Sequence, residues 1–88
     1  MMDQYNGRKL NSTGRADFKD MIDSYGHISE QCSERHGVMI FFNRRNYSIK
    51  EIRPIRYTSS GCEYTDSLPE EAMEHLSAFI KYITVDAK

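Results

Sequence analysis

The sequence predicts an α+β domain, a two-layer sandwich in which an antiparallel meander of three or four strands is flanked by an N-terminal and a C-terminal helix (α-β-β-β-α). Three observations carry that expectation. Apolar residues recur at helical spacing near each end of the chain; Val38–Phe42 is a short run of strand formers; and the stretches between the strand-like segments are too brief for a parallel crossover.

Residues 1–13 contain Asn6-Gly7, Asn11, Ser12 and Thr13 with little apolar content, which reads as a flexible N-terminal arm. It ends at a helix N-cap supplied by Ser12 or Thr13. Phe18, Met21, Ile22 and Tyr25 then follow i, i+3, i+4, i+7 spacing, and Gly26 is placed to end the helix in a left-handed conformation, so the first helix is expected over 14–25. Residues 27–36 are ambiguous between strand and helix: Ile28, Glu30 and Cys32 alternate, while Ile28, Cys32 and His36 repeat every four. The balance leans to a strand or irregular segment.

Val38–Phe42 is apolar on both faces, as a covered central strand requires. Asn43–Asn46 is a turn, because Asn tolerates positive φ and bonds its own backbone. The next strand spans 47–57. Tyr47, Ile49, Ile55 and Tyr57 share one parity, Ile52 breaks it and Pro54 removes a ladder donor, so a bulge near Ile52 or an edge position is expected. Thr58–Gly61 turns the chain into a short strand, Cys62–Thr65. Ser67-Leu68-Pro69-Glu70 fits a capping box, and Ala72, Met73, Leu76, Phe79, Ile80 and Ile83 form one apolar stripe, giving a second helix over 68–84.

At 88 residues the chain is one domain, expected over 14–88 behind the arm. Charged residues at 28% and hydrophobic residues at 39% exclude a disordered or membrane-spanning composition. Val38–Phe42 falls far short of the ~20 apolar residues a spanning helix needs, and Met1–Tyr5 has no signal-peptide core, so a cytoplasmic location is expected. Cys32 and Cys62 then read as free thiols. Cys32 and His36 stand four apart, with His27, Cys62 and His75 elsewhere, which is half a zinc site; no metal and no cofactor is expected. No G-x-S-x-G, H-E-x-x-H, Walker A or G-x-G-x-x-G pattern occurs, so no catalytic residues are assigned and the chain is expected not to be an enzyme.

The net charge of −1 conceals a strong asymmetry. Residues 1–34 hold four basic and six acidic groups, residues 35–57 six basic and one acidic, and residues 63–88 two basic and six acidic. The middle stretch therefore carries +5 and can focus a field on one face. Arg44, Arg45, Tyr47, Lys50, Arg53, Arg56 and Tyr57 form a basic hairpin with interleaved aromatics, the candidate partner-binding set; Asp66, Glu70, Glu71 and Glu74 form a secondary acidic surface. Three readings compete: a solvated edge strand whose charges discourage pairing, a surface for an acidic protein, and a phosphate-gripping nucleic-acid site.

The helix–three-strand–helix order over residues 14–84 is similar to that of the double-stranded-RNA-binding domain. Where that family carries a Lys-rich run at the start of its last helix, this chain has Pro69-Glu70-Glu71, which repels phosphate. Size and element order alone are also similar to several phage-encoded inhibitors, including some anti-CRISPR proteins, which block a surface of a larger complex. The resulting expectation is a non-enzymatic binding module acting by protein–protein contact, an inhibitor or regulator of a larger host complex. Nucleic-acid binding through residues 44–57 is the alternative, and a homodimer using surface tyrosines is the third. Reversing both Arg44 and Arg45 to Glu is expected to remove the partner and spare the fold, because a turn tolerates the change.

Overall fold

The computed structural model describes residues 2–86; Met1 of the expected arm and residues 87–88 of the expected domain lie outside that range. In chain order the elements are β1 (Lys9–Leu10), α1 (Ser12–Tyr25), β2 (His27–Gln31), β3 (His36–Asn43), β4 (Ser48–Thr58), β5 (Gly61–Tyr64), α2 (Glu70–Ile83) and β6 (Thr84–Val85), preceded by a 3-10 turn at Asp3–Tyr5. All strands pair antiparallel in one six-stranded sheet, ordered β2-β3-β4-β1-β6 with β5 also on β4.

Over the described residues the chain is thus an α+β fold with two helices and six strands, and the expectation of three or four strands is corrected. The β2-β3-β4-β5 meander is present, but β1 and β6 extend the sheet beyond β4. Each is two residues long, too short to show a period-2 pattern, and they pair only because α2 returns the chain to Lys9 and Leu10.

The expected flexible arm is instead packed into the fold. Met2, Tyr5 and Leu10 are buried, Gly7 donates its amide to Ile49, and Arg8 reaches across to Thr84 and Asp86. The α1 N-cap is Asn11 in place of Ser12 or Thr13: its side-chain oxygen accepts from the Gly14 amide at 2.8 Å. Gly26 ends the helix at φ +81° as its position predicts.

The buried face of α1 is also rotated from the expected one. Gly14, Phe18 and Ile22 face the interior, while Met21 and Tyr25 are exposed. A Cβ at Gly14 would fall 2.8 Å from Leu10 and inside contact distance of the Ile83 carbonyl, so the start of α1 packs tightly on the end of α2. Phe18 meets Phe79 edge-on at 5.8 Å.

The capping box at Ser67 does not form: α2 begins at Glu70 behind Pro69, with no side-chain cap. A cap at Ser67 would make Leu68 helical, and the residue before a proline is sterically biased to extended backbone. Leu68 instead turns into the core.

Residues 27–31 are strand, resolving the ambiguous segment, and Cys32 follows as a buried thiol. In the β3–β4 ladder, Phe41 pairs Glu51 while Phe42 pairs Ile49. Lys50 is the extra residue of a bulge, two positions before the Ile52 suggested by parity. It puts Ile49 and Ile52 on the same side, so that Ile28, Val38, Ile40, Phe42, Ile49 and Ile52 face Ile22, Ala72, Leu76, Ile80 and Ile83 from the helices in one core.

Candidate functional site: the uncovered sheet face

Both helices lie on one side of the sheet, so the register defines a second side with no covering layer among the described residues. Residues directly opposite across strands share a face. That face carries His27, Ser29 and Gln31 from β2; Gly37, Met39 and Phe41 from β3; Glu51, Arg53, Ile55 and Tyr57 from β4; and Cys62 and Tyr64 from β5.

Its centre is apolar. Ile55 is buried without belonging to the core beneath the helices, sheltered in a small cleft with Met39, Cys62 and Tyr64. The Arg53 guanidinium lies 4.0 Å from the Tyr64 ring centroid, a cation–π stack on a ring that is 52% exposed. The Tyr57 hydroxyl lies where any side chain at Gly37 would stand, and that same Cβ would come 2.6 Å from the Glu30 carbonyl. Partial burial, then the nearby Cys32, Cys62 and Glu30, pushes the Tyr57 phenol up, keeping it neutral.

At the α1 end the face becomes an aromatic row. Tyr25 and His27 have ring centroids 6.3 Å apart, and His27 and Phe41 5.4 Å. Beyond them opens a cleft of about 650 Å³ lined by Tyr25, Gly26, Phe41, Phe42, Asn43, Arg44 and Lys50.

The structure disperses the basic hairpin that the sequence suggested. Arg44 is tied into the fold: its Nε donates to the Ile22 carbonyl at 3.2 Å and a terminal nitrogen to Ser24 at 3.4 Å, so it closes the C-terminus of α1. Tyr47 is turned toward α1, donating to Asp23 at 2.7 Å with Arg15 and Lys19 each 5.8 Å from its ring. These bonds hold Tyr47 at φ +58°, the left-handed position that the sequence assigned to an Asn. Asn43 and Asn46 instead accept backbone amides from Arg45 and Ser48.

Arg56 has the opposite parity from Arg53 and pairs with Glu63. Arg45 projects from the turn, exposed. Only Lys50, Arg53 and Tyr57 of the seven meet on the uncovered face or its rim. Reversal of Arg44 and Arg45 therefore strikes the fold as well as the surface, which corrects the expectation that it is structurally silent.

The acidic residues lie elsewhere. Glu70 and Glu71 sit in the first turn of α2 and Glu74 one turn on, all exposed; Asp66 lines a separate cleft of about 310 Å³ with Met2, Ile52, Leu68 and Met73. Glu70, Glu71 and Glu74 thus lie on the helix side, whereas the open face carries Arg53 with Glu51 3.9 Å away and Lys50 at its rim.

Among the described residues, no group of three or more His, Cys, Asp or Glu side chains is placed to hold a metal, and no helix is long and apolar enough to cross a membrane. Cys32 is buried and its thiol is pushed up to about 11 by desolvation and the Glu30 charge, while Cys62 is exposed on β5. Sequence reasoning missed Tyr25, His27, Met39, Phe41 and Tyr64 because their grouping depends on strand register and on which face the helices cover.

Compared with family models, curated proteins and solved structures, this chain finds no match.

Proposed function

We propose that the protein is a non-enzymatic binding module whose uncovered sheet face docks onto a protein partner. The observation that carries this reading is the exposed Arg53–Tyr64 stack beside an apolar centre of Met39, Ile55 and Tyr57. Tyr, Arg and Met are enriched where proteins meet, and a rigid aromatic with a cation already seated on it loses little entropy on binding. Lys50 and Arg53, with Glu51 between them and 3.9 Å from Arg53, leave one net positive charge at this rim, suited to a partner with an acidic group beside an apolar patch. The finer reading is an inhibitor or regulator of a larger host complex, which the same open face would serve by covering a surface of that complex.

The test is affinity capture from host lysate with and without nuclease, using the wild type, Arg53→Glu, Tyr64→Ala and Arg45→Glu. A stoichiometric protein that survives nuclease, is lost with Arg53→Glu and Tyr64→Ala, and is kept by Arg45→Glu supports the open face. Undiminished capture by folded Arg53→Glu and Tyr64→Ala overturns it. Loss of every partner on nuclease treatment moves the function to nucleic acid.

A further inference from the structure

We infer that the cleft at the junction of α1, β3 and β4 is a binding site for a nucleoside phosphate. The inference goes beyond the docking face and needs no protein partner. The cleft is lined by two cations, Arg44 and Lys50, by three aromatic residues, Tyr25, Phe41 and the core-buried Phe42, and by no carboxylate. At about 650 Å³ it falls within the range of small-ligand sites.

Each part is held by a local device. Gly26 at φ +81° has no Cβ, and one added there would stand 3.3 Å from the Arg44 guanidinium, so this glycine lets Arg44 lie against the helix end. Arg44 spends two donors on the Ile22 and Ser24 carbonyls, which offsets the negative end of the α1 dipole and leaves the cleft without an exposed helix C-terminus to repel an anion. Two carboxylates neighbour the lining residues, and both have partners: Asp23 is engaged by the Tyr47 hydroxyl and Lys19, and Glu51, opposite Phe41 in the ladder, lies 3.9 Å from the Arg53 guanidinium.

Lys50 is the residue the bulge inserts, and it has no ion-pair partner among the described residues. A free ammonium beside a guanidinium suits a phosphate as a point charge and a fork, respectively.

The rings define the remainder of the ligand. Tyr25 is 68% exposed at the end of α1, outside the arc packed against α2, so its ring is presented at the cleft. His27 bridges it to Phe41, and its Nδ1 lies 3.2 Å from the Tyr25 carbonyl. A row of rings bordering two cations offers a base a surface to stack on while its phosphate reaches Lys50 and Arg44.

The test is amide chemical-shift titration of the intact protein with adenosine monophosphate, adenosine, inorganic phosphate and a tetra-adenylate RNA. Adenosine monophosphate is expected to shift Gly26, Phe41 and Lys50, with adenosine and phosphate each at least about tenfold weaker, in line with the contribution of one stacked base. Lys50→Gln and Tyr25→Ala alter exposed side chains outside the core and are expected to weaken binding by about tenfold each with thermal midpoints unchanged. Tighter binding of the RNA identifies a strand as the source of the nucleotide; equal binding identifies the free mononucleotide. No shift at millimolar ligand, shifts scattered away from the cleft, phosphate binding as tightly as the nucleotide, or unchanged binding in folded Lys50→Gln overturns the inference. None of these outcomes depends on whether the sheet face binds a protein.

Discussion

Arg44 and Arg45 are adjacent, identical and both exposed, yet the structure gives them different work, and substituting each alone by Ala separates them. Arg44→Ala removes two hydrogen bonds to the carbonyls of Ile22 and Ser24 and a cation from the C-terminus of α1. A hydrogen bond from a charged donor is worth about 1.5–3 kcal/mol when shielded and less at an exposed site. A cation at a helix C-terminus adds roughly 0.3–1 kcal/mol. The expected loss is therefore about 1–2 kcal/mol, which for a domain of this size lowers the melting midpoint by roughly 4–16 °C. The Arg45 side chain makes no hydrogen bond or ion pair among the described residues, so Arg45→Ala is expected to stay within about 0.5 kcal/mol of wild type. Urea titration of the two variants under identical conditions measures the difference. Equal stability of both variants refutes the assignment of Arg44 to the helix terminus. The result also decides how a charge-reversal experiment is read, because loss of binding in an Arg44 variant that has lost stability says nothing about a partner surface.

Gly14→Ala is expected to destabilise by about 1–3 kcal/mol, since overpacking against the Ile83 backbone outweighs the ~1 kcal/mol helix-propensity gain; chemical denaturation giving a stabilised variant contradicts the α1–α2 approach. Asn11→Ala is expected to cost about 0.5–2 kcal/mol through loss of the bond to Gly14, with Thr13→Ala nearly neutral, as read by thermal melts. The Tyr47 hydroxyl, and then Lys19, hold the Asp23 carboxyl below its ordinary range, so this contribution is present above the unfolded pKa near 4 and is lost as pH falls through the lower folded value; Asp23→Asn should flatten that acid limb of a stability–pH curve. Under native conditions iodoacetamide is expected to label exposed Cys62 and spare buried Cys32, and mass spectrometry showing equal labelling would contradict the burial of Cys32.

The fold class was legible because both helices announce themselves by period and Val38–Phe42 by composition. The C-terminal end of α1 and its Gly26 cap followed from local chemistry, whereas its start lies two residues before the expected Gly14, behind the Asn11 cap. What escaped was set by tertiary context. Tyr25 keeps helical spacing with Phe18 and Ile22 but lies just outside the arc that Gly14 brings against α2. Ser67 satisfies the capping-box pattern, and the proline two residues later prevents it. The basic hairpin reads as one patch in one dimension, whereas strand parity, a left-handed Tyr47 and the capping role of Arg44 send its members to three sides of the molecule. Sequence spacing fixes which residues are near; only the register and the covered face decide which are presented together.

The bulge at Lys50 allows that last point to be tested directly. With Lys50 present, Ile49 and Ile52 both face the core although three positions separate them, and Phe42 and Phe41 pair with Ile49 and Glu51 across the gap. Deleting Lys50 makes Ile49 and Glu51 consecutive, so the same pairs become neighbours in a regular ladder, Ile52 keeps its core side, and Arg53, Ile55 and Tyr57 keep the open side. A residue needed for register could not be removed this way without inverting everything after it. The deletion variant is therefore expected to fold with stability within about 2 kcal/mol of wild type and to retain the Arg53–Tyr64 face. It should nevertheless lose the unpaired cation at the α1–β3–β4 cleft, and with it the response to adenosine monophosphate. Unfolding of the deletion variant would assign the bulge to the architecture of the sheet, whereas a folded variant blind to the nucleotide assigns it to the presentation of one lysine.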